Sequence, residues 1–444
     1  MPTMRRSTLP LLGLLLLLGA APTAHAQFPL KDGDIWVMAG DSITAQHLHS
    51  NYFEAFCYAR YNKIKFGFRN SGVGGHTIPS TLARFDYDIA AWKPTVVSVE
   101  LGMNDHGGTA TDKFVSNMGT MVERIRAINA RPVILSASPI NNGTTLAKLG
   151  SKNRLHEYAV ALKEFSAKEK IPYADQFHPL VDLWANNKPN ENRLAAVLSV
   201  KKLAKDDKMT GVEHLRAFLA ANEKEMDQLV SMEGDAVHPG APGQLMMAAA
   251  LLKELGAEPF VSSATVDAKE MSADAKGCKV TDVKARSGGL SFNRLDDCLP
   301  FPIPDEARGA LRLYPTILDM SHYTLKVKGL KSGIYVLKVN NVPIATLPSK
   351  ELEAGVNLTA FGSDPKSKMP NPIAAQGKAV LAAVGARANL VGQWRNMSKA
   401  AHADKAPADL MAKLDAFALK VAEADERIRE AAQPKMLRFE LTAQ

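Results

Sequence analysis

Five short apolar segments, each trailed by an amphipathic stretch, organise the first part of the chain. They are Asp34–Ala39, Ile64–Arg69, Thr95–Leu101, Val133–Ala137 and the shorter Tyr173–Asp175. The third, Thr-Val-Val-Ser-Val-Glu-Leu, is β-branched and apolar almost throughout, as a strand covered on both faces is. Between these segments lie helical patterns at Tyr52–Tyr61, Ser80–Trp92, Lys113–Ala127 and Lys152–Lys168. Strand and helix alternating at this pace imply an α/β fold, a parallel sheet between two layers of helices. Ligands bind such sheets outside the carboxyl ends of the strands. Residues that directly follow a strand are therefore the first candidates for function.

Ser42 is one of them. It follows the first strand in Gly40-Asp41-Ser42-Ile43. Gly40 permits a sharp turn there, because it has no Cβ to clash. A serine at such a turn projects its hydroxyl from the sheet edge, beside a helix start whose free N–H groups can bind an anion. A nucleophile needs that geometry, and a simple helix-capping hydroxyl needs it too.

Three further segments bear on the choice: Asn70-Ser71-Gly72-Val73-Gly74-Gly75, Gly102-Met103-Asn104-Asp105 and Asp235-Ala236-Val237-His238-Pro239. Ester hydrolysis requires an activated nucleophile, a base, a group that orients the base, and donors for the oxyanion. Ser42 is the candidate nucleophile and His238 the candidate base. Asp235, three residues earlier, can reach the imidazole, fix its tautomer and stabilise the imidazolium. The bland reading of Asp-x-x-His-Pro is a cap and turn before the helical pattern at Gly243–Leu255.

Together, and in this order, the four segments resemble the motif blocks of the GDSL, or SGNH, hydrolases. The resemblance spans about residues 33 to 255, with Ile43 where the family name has Leu. It implies a three-layer, flavodoxin-like hydrolase domain with Ser42, Asp235 and His238 as the catalytic set. It also implies an oxyanion hole built from the Ser42 backbone N–H, the Gly75 backbone N–H and the Asn104 side-chain amide. Gly72 and Gly74 are rivals for the backbone role and are expected instead to shape the turn. Asp41 is expected to hold the serine turn, and Asp105 and His106 to line the cleft.

Residues 1–26 read as a secretory signal. Met4-Arg5-Arg6 is the positive start, Leu9–Leu18 the apolar run and Ala24-His25-Ala26 the small-x-small cleavage site. The run is short for a membrane span of about 20 residues, and no cysteine near the cut could carry a lipid. The mature chain is thus expected to start at Gln27, secreted or periplasmic, without a stable membrane anchor. An exported protein can oxidise its thiols. Of the three cysteines, Cys278 and Cys298 are expected to pair, and Cys57 to be a buried free thiol.

The whole chain carries a net charge of +8, with 46% hydrophobic and 23% charged residues, ordinary for a globular protein of two domains. No Lys/Arg-rich block or aromatic-basic stripe points to nucleic acid. No Cys/His cluster has zinc-ligand spacing, and neither a metal nor a cofactor is expected.

Four parts are expected. The signal is followed by a hydrolase domain at 27–260, with a charged helical excursion at 180–232 that forms either a cleft wall or a packed insertion. A linker at 261–275 leads to a smaller β-rich domain with helices at 276–444. In that last part Tyr323–Val327 and Tyr335–Val339 alternate as strands do, and Asn340-Asn341 marks a hairpin. Two helices and a closing strand at Met436–Leu441 follow. The domain is expected either to bind glycans or to pack on the hydrolase. The expected activity is hydrolysis of short acyl esters, acetyl first, on a carbohydrate such as an acetylated polysaccharide. A lipase or thioesterase of the same family, or an idle binding protein on the same scaffold, is the alternative.

Overall fold

The computed structural model describes residues 28–150, 153–187, 199–200, 202–204, 208–221, 232–286, 288–364 and 369–444. The signal segment and nearly half of the excursion lie outside these residues. Within the excursion, residues 213–221 are helical.

The first sheet contains β1 (Asp34–Gly40), β2 (Phe66–Gly72), β3 (Val96–Glu100), β4 (Arg131–Leu135) and β5 (Tyr173–Ala174). Its order is β2-β1-β3-β4-β5, with every pair parallel. The alternation along β1 explains the layers. Trp36 and Met38 face a cluster built with α2 (His49–Arg60) and α6 (Ala241–Glu254). Val37 and Ala39 face the opposite cluster, which holds Phe114, Met118 and Met121 of α3 (Thr111–Ala127) and Tyr158 and Leu162 of α4 (Arg154–Glu169). A strand buried on both faces is apolar at most positions, as β1 and β3 are, which is why the sheet was legible. Register aligns the strand ends: Gly40 is opposite Gly72 and Glu100, and Glu100 is opposite Leu135. Ser42, the glycine turn and Asn104 therefore leave the sheet along one edge.

The second part holds two sheets around one core, with Val266, Phe292, Tyr323, Leu325, Leu337 and Phe439 buried between them. One sheet is β13-β10-β6-β7; the other is β12-β11-β14-β9-β8. Their strands are β6 (Phe260–Asp267), β7 (Ser272–Lys276), β8 (Cys278–Arg286), β9 (Gly289–Asp296), β10 (His322–Lys328), β11 (Ile334–Val339), β12 (Val342–Pro348), β13 (Val356–Asn357) and β14 (Leu437–Ala443). Asn340 and Asn341 both take positive φ, 48° and 68°, in the tight turn joining β11 to β12. That is the conformation a two-residue hairpin demands.

Two expectations are corrected here. Residues 261–275 are not a linker: β6 and β7 occupy them as an antiparallel pair. The buried side of β6 reads Ser262, Ala264, Val266, so small residues disguise the apolar alternation. Cys278 and Cys298 are free thiols. Cys278 Sγ points to the carbonyl of Ser263, whereas Cys298 Sγ points to that of Val261. Closeness in sequence did not align their side chains. Cys57 is a buried free thiol.

The long helices α7 (Pro372–Ala401) and α8 (Leu410–Ala431) pack on the first sheet at its β2 edge, so packing crosses the expected boundary near residue 260. Arg429, Arg387 and Arg395 donate to the outward carbonyls of Phe66, Phe68 and Gly72. An edge strand otherwise leaves such groups open to pair with another chain. Behind this row, Arg387 pairs with Glu54 of α2 and Asp425 of α8, and Arg69 of β2 pairs with Asp425 at 2.7 Å. Tyr58 donates to the same carboxylate at 3.1 Å. All five side chains are buried.

Candidate active site

The turn after β1 is fixed by sterics. A Cβ on Gly40 would sit 2.0 Å from Thr44 Oγ1, so only glycine lets the chain enter α1 (Ser42–Ala45) so abruptly. Asp41 caps that helix, its Oδ1 accepting the N–H of Ile43 at 2.9 Å. Ser42 thereby stands at the first helical position with its hydroxyl directed across the strand ends.

The loop at 234–239 brings the base. Gly234 has φ +71°, and a Cβ there would lie 2.0 Å from the His238 carbonyl. Asp235 N–H donates to that same carbonyl at 3.0 Å, closing the loop. Asp235 Oδ1 accepts the N–H groups of Val237 and His238, each at 2.7 Å, and Oδ2 lies 3.1 Å from His238 Nδ1. These N–H donors, led by that of His238, hold the Asp235 carboxyl below the usual carboxylate range. An ionised Asp235 accepts a hydrogen bond from Nδ1–H, which leaves Nε2 as the acceptor. Nε2 lies 2.8 Å from Ser42 Oγ. Three residues from two distant parts of the chain thus form one hydrogen-bonded row.

The oxyanion candidates converge less completely. Gly75 is exposed with φ +76°, and a Cβ on Gly74 would come 3.8 Å from Ser42 Cβ, so the glycine turn stands beside the serine. Asn104 Nδ2 donates one of its two N–H groups to the carbonyl of His76 at 3.1 Å. Asn104 and the glycine turn are therefore tied together one residue past Gly75. Asp105 does not line the cleft: it is buried, and its Oδ1 accepts the Ile78 N–H at 3.2 Å. His106 does line a cavity, of about 270 Å³, with Ile140, Asn142, Thr144, Arg154 and Phe177. That cavity adjoins the base loop, since Asn141 N–H donates to the Ala236 carbonyl at 2.8 Å.

A buried polar layer lies under the serine. His49 Nε2 meets Glu100 Oε2 at 2.8 Å, and Gln244 links His49 to the Pro239 carbonyl next to the base. Burial, reinforced by Glu100, pushes Asp41 up to about 7. Burial opposes charge on His49, but the Glu100 charge and the hydrogen bonds His49 donates to Glu100 and Gln244 outweigh it and raise its pKa.

Sequence reasoning overlooked one motif. Asp175-Gln176-Phe177-His178-Pro179 has the same spacing as the base loop and the same local geometry. Asp175 Oδ1 accepts the N–H groups of Phe177 and His178, and His178 Nδ1 meets Oδ2 at 2.6 Å. There Nε2 faces His156 Nδ1 at 3.0 Å instead of a serine. Among the described residues no group of three or more His, Cys, Asp or Glu could hold a metal, and no helix is long and apolar enough to cross a membrane.

Residues 38–245 match the GDSL-like lipase/acylhydrolase family. No curated protein matches the chain. Among solved structures, a gut microbial diltiazem-metabolizing enzyme, BT4096, is 21% identical, with a TM-score of 0.67 over 94% of this chain and all of that one. Its fold is thus similar across both parts. Axe2, an acetylxylan esterase from Geobacillus stearothermophilus, is 18% identical, with a TM-score of 0.36 over 51% of this chain and 96% of its own. An α/β hydrolase from the metagenome of Lake Arreo, LAE5, is 16% identical, with a TM-score of 0.36 over 51% of this chain and 97% of its own. With this family match over the parallel sheet and its strand-end serine, residues 38–245 are similar to the GDSL-like lipase/acylhydrolase family, and the chain is a hydrolase of ester bonds.

Proposed function

We propose that the chain is a secreted or periplasmic serine esterase that removes short acyl groups, acetyl first, from carbohydrate esters. The row Ser42 Oγ, His238 Nε2, His238 Nδ1, Asp235 carries the reading. Ser42 Oγ attacks the ester carbonyl as its proton passes to His238 Nε2. Asp235 holds the Nδ1 proton and stabilises the imidazolium. The oxyanion takes N–H bonds from Ser42, Gly75 and Asn104 Nδ2. His238 then returns its proton to the leaving alcohol as the C–O bond breaks. Water, deprotonated by the same nitrogen, releases the acid and restores Ser42.

The preference for small acyl groups draws on the cavity beside His106, which has room for a short chain or one sugar ring and a partly polar rim. Export rests on the signal pattern of residues 1–26. The test is kcat/KM for p-nitrophenyl acetate, butyrate, octanoate and palmitate, followed by acetate release from acetylated xylan, pectin and peptidoglycan. A fall with chain length supports the reading. A rise beyond butyrate replaces it with a lipase.

A further inference from the structure

We propose that Arg395, on the C-terminal helix α7, positions the oxyanion turn, so that α7 belongs to the catalytic unit. The inference rests on the serine-esterase reading above. Arg395 grips two parts of the site at once. Its Nε and Nη2 donate to the two oxygens of Asp88 at 2.6 and 2.8 Å, and its Nη1 donates to the Gly72 carbonyl at 3.1 Å. Gly72 ends β2 and opens the turn that carries Gly74 and Gly75.

Asp88 passes the constraint on. It pairs with Arg84 and accepts from Ser71 Oγ at 2.8 Å. Arg84 Nη1 donates to Ser71 Oγ at 2.7 Å, and its Nε donates to His76 Nδ1 at 3.1 Å. A histidine that accepts at Nδ1 is neutral and carries its proton on Nε2. Burial and the Arg84 charge both lower the His76 pKa and keep it so. The His76 carbonyl, finally, accepts the Asn104 amide. An unbroken polar path therefore runs from α7 to the turn holding Gly75 and to Asn104, the two donors that β1 does not supply.

Helix attachment alone would not need this chemistry. Asp88, Arg84 and Ser71 are buried, and burying ions costs more than burying apolar side chains of similar volume. What ions add is direction and charge. Two guanidinium groups against one carboxylate leave one positive charge in excess beside the turn where the oxyanion forms. Fixed charge and fixed N–H donors are the largest source of stabilisation for such a transition state, and they act on kcat more than on substrate binding.

The test uses full-length protein and p-nitrophenyl acetate, with Arg395→Met, Arg395→Lys and Ser42→Ala beside the wild type and thermal melts of each. Loss of one oxyanion donor costs about a hundredfold or more in kcat, and a displaced donor a part of that. The expected result for Arg395→Met is a kcat at least about tenfold lower with KM within about twofold, partly restored by millimolar guanidinium. Arg395→Lys, which keeps the charge but cannot bridge Asp88 and Gly72, is expected to fall between the two. Should Arg395→Met not fold, Arg395→Lys carries the same readout. A folded variant of either kind with wild-type kcat overturns the proposal, as does a loss of rate that only tracks a loss of folded protein. An inactive wild type, or an active Ser42→Ala, would overturn the esterase reading instead.

Discussion

His238 Nε2 and Ser42 Oγ meet at 2.8 Å although 196 residues separate them in the chain. A pairing of that reach persists only if the base loop and the serine turn are each held independently, by Gly234 and by Gly40. Ser42→Ala and His238→Ala should therefore fold as the wild type does and lower kcat by at least about a thousandfold. Circular dichroism with single-turnover assays checks both halves of that statement. Wild-type rates in purified Ser42→Ala would remove the nucleophile assignment.

Asp235 differs from its partners in exposure, its side chain being 67% accessible. Water competes for its oxygens, and the loop is also closed by backbone bonds. Asp235→Asn should accordingly keep about ten- to a hundredfold more activity than His238→Ala. Equal losses in the two variants would assign Asp235 a part beyond orientation.

Asp41 titrates near pH 7 in the folded chain but near 3.8 once unfolded. Between those values the native state binds more protons, so its contribution to stability is full at low pH and is lost as pH rises from about 4 to about 7. Asp41→Asn keeps the oxygen that caps Ile43 N–H and cannot ionise. Its Tm should lose most of the decline that the wild type shows over that interval. An unchanged slope would point to other groups.

Arg387 is the hub of the buried cluster at the β2 edge. Arg387→Met strands the carboxylate of Glu54, which is fully buried, and should destabilise the fold by about 3–5 kcal/mol. Adding Glu54→Gln should recover part of the loss, since the stranded charge is then gone. Urea denaturation of the two single variants and the double one measures this coupling.

The three cysteines should all react with Ellman's reagent in denaturant without reductant. One reactive thiol per chain would instead mean that Cys278 and Cys298 had paired.

Much of the hydrolase sheet was legible because strands such as Val96–Glu100 are buried on both faces and are apolar at most positions, Ser98 and Glu100 excepted. The edge line of Ser42, the glycine turn and Asn104 followed from chain order alone. What stayed hidden is side chain meeting side chain across hundreds of residues. Arg387 and Arg395 sit in a helix whose spaced charges read like those of a solvated face. Arg84 lies in a stretch that reads as one helix over Ser80–Trp92 but breaks into short turns, with residues 78–83 and 85–88 helical on either side of it. β6 escaped notice because Ser262 and Ala264 carry too little apolar surface to reveal the period. Asp175 and His178 show the opposite limit. They match the base loop in spacing and in local geometry, and what sets them apart is the partner of the outer imidazole nitrogen, His156 instead of a serine.

The row of arginines along β2 imposes an order on synthesis. The ribosome completes β2 long before it makes its cover: Arg429 follows Phe66 by 363 residues. At roughly 5–20 residues per second, that interval is on the order of 20–70 s. Throughout it the nascent chain carries an uncapped sheet edge, or must be kept from forming the sheet at all. A truncated gene product lacking α7 and α8 would never leave that condition. Yield in a heterologous host should therefore respond to translation speed and to holding chaperones more than to the stability of the finished protein.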